Sequence, residues 1–145
     1  MGERREWTVL SDVQAITPIV ETVQGLCAAA GFSARHCRLN IPVAITEAMA
    51  NAMMRGNDGI VERPVHVAVV LEEERLVVEV TDQGGGFDMA ALATAPDASD
   101  WLEREDGRGV FLMRSLMDHV ESQCVGECRG WSGGGHLLRM VLRRA

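Results

Sequence analysis

The sequence predicts an α+β fold, a two-layer sandwich in which a mostly antiparallel sheet packs on helices, and three observations predict it. Two apolar-rich runs, 64–71 and 76–81, are separated only by polar residues around Glu72-Glu73-Glu74-Arg75, a link short enough to make an antiparallel hairpin. A second strand pair, 120–125 and 136–142, closes the chain. Long stretches with helical spacing of apolar residues stand apart from these strands rather than alternating with them, which disfavours a Rossmann-type series.

The elements follow in order. Residues 6–10 read as a short first strand with Trp7 and Val9 on one face. Ser11 stands where it can cap a helix over 12–30 that Gly31 closes, with Ile16, Ile19, Val20, Val23, Leu26 and Cys27 recurring at helical spacing. Pro18 falls in the first turns, where its missing N–H is tolerated, or else it delays the start. Ser33 restarts a helical pattern that reaches about Arg55 and stops at Gly56. Pro42 interrupts that pattern, so a kink or two pieces are expected. Ile41, Ile45, Ala48, Met49, Ala52 and Met53 give this helix a broad apolar face that should be largely buried. Beyond the first hairpin, residues 83–86 break the pattern and 94–107 lack regularity. Helix returns over 108–119, and the glycine-rich 130–135 joins the last two strands. No internal repeat is visible, and 145 residues suit one domain, 1–145, with its core over 6–143.

Composition removes several function classes. Apolar residues make up 47% of the chain, enough for a core, so disorder is not the reading. The net charge of −7 argues against direct nucleic-acid binding, which needs a basic field. No apolar run reaches membrane-spanning length and no export signal opens the chain, so a cytoplasmic protein with reduced thiols is expected. Cys27, Cys37, Cys124 and Cys128 lack paired CxxC spacing; zinc would need His119 or His136 to help, and free thiols are the expected state. All 14 basic residues are arginine. Without a lysine there can be neither a P-loop nor a eukaryotic-type protein-kinase site, both of which place one on the phosphates.

Three pieces carry chemistry. Glu47 and Asn51 lie four residues apart on one helix and share a face, about 6 Å apart along its axis. A carboxylate beside an amide suits a proton acceptor next to a hard cation, although exposed Glu/Asn pairs at this spacing are common on ordinary helices. Asp82-Gln83-Gly84-Gly85-Gly86-Phe87-Asp88 follows a strand, so that Asp82 can accept from an exocyclic amine while Gly84 and Gly86 let a flat ring approach; an ordinary turn would read the same way. Gly107-Arg108-Gly109 opens an apolar helix, where free amides and the helix dipole favour phosphate, or where a loop simply meets a helix. Each is weak alone; their order and placement together are specific.

At these residues the sequence resembles the GHKL ATPase superfamily, whose ATP-binding fold is the Bergerat sandwich. Glu47-Ala-Met-Ala-Asn51-Ala looks like its N-box, Asp82-Gln-Gly84-Gly-Gly86-Phe87 like its G1 box and Gly107-Arg-Gly109 like its G2 box. The run through Met113-Arg-Ser-Leu-Met-Asp118 is most similar to the small anti-sigma-factor serine kinases of bacterial partner-switching systems, and the resemblance covers about residues 6–143. It implies ATP and Mg²⁺ as cofactors, Asn51 as the Mg²⁺ ligand, Glu47 as general base, Asp82 as reader of the adenine amine, and Gly84, Gly86, Gly107 and Gly109 as pocket walls, with 94–107 a short ATP lid. Arg55 stands where many relatives carry histidine and would add charge near the phosphates; Arg108 and Arg104 are the lid candidates for a cation facing the γ-phosphate. His136 replaces a threonine common in relatives.

The function that the resemblance implies is an anti-sigma regulator that holds a sigma factor and phosphorylates a serine or threonine of a small STAS-type antagonist, with a homodimer as a family expectation. A non-catalytic nucleotide switch is the alternative, and it would not need Glu47. A histidine-kinase catalytic domain fits poorly, because no dimerisation helices or phospho-accepting histidine segment precede the domain and the lid is short.

Overall fold

The computed structural model describes residues 2–83, 105–125 and 135–144, with side chains outside 105–108 and 124–125. Five strands, β1 (Glu3–Val9), β2 (Val65–Leu71), β3 (Arg75–Asp82), β4 (His119–Val125) and β5 (Gly135–Arg143), form one sheet in the order β1-β2-β3-β5-β4. Every neighbouring pair is antiparallel. Helices α1 (Ile16–Ala29), α2 (Ile41–Asn51) and α3 (Glu105–Leu116) complete the α+β sandwich; α2 packs between α1 and α3 and reaches β3. The expected fold class is the one observed.

Alternation explains the sheet's two faces. Val65, Val67, Val69 and Leu71 of β2 line up with Leu76, Val78 and Val80 of β3 and with Leu138, Met140 and Leu142 of β5, all buried in the core that the helices cover. The other face carries polar rows, among them Glu79, Arg139 and Glu121 at 3.9 and 3.6 Å across β3, β5 and β4. On α1, Ile16, Ile19, Val20, Val23 and Cys27 face inward at the spacing the sequence shows. Burial pushes the Cys27 thiol up to about 12, which keeps it protonated and inert, and raises that of Cys37 as well. Among the described residues no helix is long and apolar enough to cross a membrane.

Local chemistry explains where the boundaries differ from expectation. β1 begins at Glu3 rather than Glu6, because its polar start pairs with β2 from Glu3 opposite Leu71 onward. Asp12, not Ser11, caps the entry to α1: its side chain accepts from the Gln14 N–H at 2.9 Å at a 3₁₀ turn over Val13–Ala15. Ser11 is instead buried, its hydroxyl donating to the Arg63 carbonyl. α1 ends as expected at Gly31, whose φ of 91° sets up a Schellman turn with Gly31 N–H on Ala28 O and Phe32 N–H on Cys27 O. The long helix does adapt to Pro42. A π-helical turn over His36–Asn40 precedes it, and the Ile41 N–H reaches back five residues to His36 O, so the ladder shifts just where the proline cannot donate.

Candidate functional site

Glu47 and Asn51 sit on α2, which is pinned by the buried Ile41, Ala44, Ile45, Ala48 and Met49. Their side chains meet α3 at Gly109. A β-carbon added there would lie 2.9 Å from Glu47 Oε2 and 3.3 Å from Asn51 Nδ2, so any larger residue would push the ends of these two side chains out of place. The structure thus unites two of the three sequence motifs. Asn51 Nδ2 is buried without a hydrogen-bond partner among the described residues. A half-turn of the group would present its oxygen at the same place.

Past Asn51 the helix widens into a second π-helical turn, Ala52–Gly56, on which Arg55 is exposed. Its last residue, Gly56, lies against the carboxylate of Asp82: an added β-carbon would fall 2.2 Å from Asp82 Cγ. Asp82 is the last residue of β3 and belongs to the core-facing row, which is why it is only 3% exposed. On its other side Gly135, the first residue of the neighbouring β5, comes so close that an added β-carbon would run into Asp82 O. His136, also 3% exposed, is paired with Asp82 in register and places Nδ1 3.6 Å from Oδ2. A carboxylate buried in this way is costly unless donors reach it, so Asp82 is an acceptor built into the floor of the molecule.

Gly56 lies nine residues beyond Glu47, about 13 Å at the usual helical rise. One end carries the carboxylate–amide pair and the other the buried acceptor. Gly107 and Arg108 fall within the first turn of α3, which starts at Glu105 and not at Arg108 as the sequence suggests; the acidic Glu105 and Asp106 suit a helix start. The first four N–H groups of a helix lack intrahelical acceptors, and those of α3 lie in the turn next to Gly109. Gly84, Gly86, Arg104 and the lid through 104 lie outside the described residues, as does the side chain of Arg108. Two surface clefts, lined by Glu74, Arg75, Arg143 and Arg144 and by Asp118, His119 and Arg139 among others, sit toward the opposite end of β3 and include none of these groups.

Sequence reasoning missed Asn57 and Gly135. Asn57 is fully buried and its Oδ1 accepts from the Gln83 N–H at 2.9 Å, next to Asp82. Both stand in stretches that read as turn material, Gly56-Asn-Asp-Gly59 and the glycine run before His136, and nothing in those stretches signals a long-range contact.

Residues 9–142, which hold Glu47, Asn51, Asp82, Gly109 and His136, match the family model of the histidine kinase-like ATPase domain, and the chain belongs to that family. Among its relatives, the serine-protein kinase RsbW of Bacillus pumilus is 32% identical over 111 residues, 70% of this chain and 67% of that protein. RsbW of Halalkalibacterium halodurans is 31% identical over 126 residues, covering 82% and 75%. The anti-sigma F factor of Bacillus thuringiensis is 34% identical over 83 residues, 56% of either chain.

Proposed function

We propose that this chain is an anti-sigma regulatory kinase that transfers the γ-phosphoryl group of ATP to a serine or threonine of a small STAS-type antagonist and, in its other state, holds a sigma factor in the cytoplasm. The observation that carries the reading is the contact of Gly109 with both Glu47 and Asn51, which sets a carboxylate, and an amide whose Nδ2 has no partner among the described residues, just past the first turn of α3. Membership in the ATPase family and relatives named as serine-protein kinases and as an anti-sigma factor support it.

In this reading Asp82 accepts from the adenine amine, and Gly56 and Gly135 give the base room. The phosphates lie toward Gly107, Arg108 and Gly109, with Arg55 adding positive charge, while Gly84 and Gly86 line the base. Asn51 would hold Mg²⁺, which supplies charge neutralisation on the phosphates. Glu47 accepts the proton of the attacking hydroxyl as its oxygen bonds to the γ-phosphorus and ADP leaves. Catalysis is then positioning and electrostatics, without a lysine.

The test is phosphoryl transfer from Mg²⁺-ATP to cognate antagonists. Wild type should label a serine or threonine. Glu47→Ala should bind ATP yet lose transfer by about 10²–10⁴-fold, the range for a general base, and Asn51→Ala should lose the Mg²⁺ dependence of binding. Equal transfer by wild type and Glu47→Ala would remove Glu47 from the chemistry; binding without transfer in the wild type would favour the nucleotide switch.

A further inference from the structure

We propose that Asn57 is a positioning residue for base selectivity, holding the end of β3 so that the Asp82 carboxylate meets the exocyclic amine of a purine. This rests on the reading of Asp82 as the base-recognising group. Asn57 is 0% exposed and follows Gly56, the residue lying against the Asp82 carboxylate. Its Nδ2 donates to Ser11 Oγ at 3.0 Å, to Arg63 O at 3.0 Å and to Pro64 O at 3.1 Å. Its Oδ1 accepts from Gln83 N–H at 2.9 Å. Its own backbone N–H donates to Ala52 O and its carbonyl accepts from Ile60 N–H, both at 2.9 Å.

That pattern fixes the amide in one orientation. A half-turn would set Nδ2 against the Gln83 N–H, donor to donor, and Oδ1 against two carbonyls, acceptor to acceptor. The bond to Gln83 is the informative one. The β3–β5 ladder ends at Asp82 opposite His136, so Gln83 is the first residue beyond it. Strand ends without a partner fray. Asn57 clamps the chain one residue after Asp82, as the His136 pairing clamps it from the side, and the carboxylate keeps its direction against Gly56. The Nδ2 contacts with Arg63 O and Pro64 O hold the turn over 57–64 and the one with Ser11 Oγ ties it to the chain just past the end of β1; the bond at Oδ1 is the one that reaches the site.

Equilibrium binding of ATP and ITP, which carries a carbonyl where ATP has the amine, tests this on the full chain. Wild type should prefer ATP by on the order of tenfold or more, as loss of a hydrogen bond to a charged group implies. Asn57→Ala should cut that ratio several-fold, while Ser11→Ala, which removes an anchor but not the Gln83 bond, should leave it intact. The ratio does not depend on the fraction of protein that is folded, so a purely structural role would not move it. An unchanged ratio in Asn57→Ala, or an equal loss in Ser11→Ala, overturns the proposal. Should Asn57→Ala fail to fold, hydrogen exchange on the nucleotide-free wild type decides: a protected Gln83 amide supports the clamp, and exchange at the rate of an open chain overturns it. Wild type that binds neither nucleotide, or both equally, refutes the reading of Asp82 itself, a different result from selective wild type with equally selective Asn57→Ala.

Discussion

Two glycines determine where two carboxylates can stand. Gly109 admits α3 to within contact of Glu47, and Gly56 gives Asp82 a flat wall, since in each case a single added carbon would collide with carboxylate atoms. At Asp82 the consequence is measurable. The carboxylate is held by its strand, by Gly56 and by a backbone tied down at Gln83, so Asp82→Asn should keep the shape while replacing one acceptor oxygen with a donor. ATP affinity should fall by about 1.5–3 kcal/mol, the worth of a charged hydrogen bond, or about 10- to 150-fold in Kd. Calorimetric titration with Mg²⁺-ATP checks it; an unaltered Kd would make Asp82 a turn residue and no more.

Among the elements, the long helix from α2 through its π-helical end does the most for the site, because it carries Glu47, Asn51, Gly56 and Asn57 on one continuous backbone. Its regular part was legible: the apolar face and Pro42 are in the sequence, and so are the Glu47/Asn51 spacing and the strand leading to Asp82. What was not legible depends on partners far along the chain. Ser11 reads as a cap because its neighbours are helical, yet its bonds go to Arg63 and Asn57, 52 and 46 residues away. Asn57 reads as a turn residue because its bond to Gln83 spans 26 residues, and the order that seats β5 between β3 and β4 has no local signature either. Where a signal is purely local, the sequence is sufficient. Gly31 is such a case, and with φ at 91° its replacement by alanine should destabilise the protein by about 1 kcal/mol or somewhat more. Urea unfolding measures this. A Gly31→Ala midpoint equal to wild type would mean that α1 can end without a left-handed residue.

For the whole molecule the arrangement means that one ligand would draw on distant parts of the chain. Glu47, Gly56 and Asp82 belong to its first part, Gly109 and Gly135 to its last; the packing of α2 on α3 brings Gly109 to Glu47, and the β3–β5 pairing brings Gly135 to Asp82. A nucleotide contacting both ends of that assembly binds the folded state and not the unfolded chain, so it must raise the melting temperature by mass action. At a hundredfold excess over Kd the gain is about 2.7 kcal/mol, and a domain of this size shifts by about 2–4 °C per kcal/mol, so Mg²⁺-ATP should raise Tm by about 5–10 °C. The same concentration should do much less for Asp82→Asn, whose weaker binding lowers the ratio of ligand to Kd. Leaving out Mg²⁺ should reduce the shift in wild type but not in Asn51→Ala, because the amide is then no longer there to couple metal to nucleotide. A thermal scan of the three proteins with and without the metal separates these terms. A Tm that no nucleotide moves in any of them would mean that the groups gathered around α2 hold only one another.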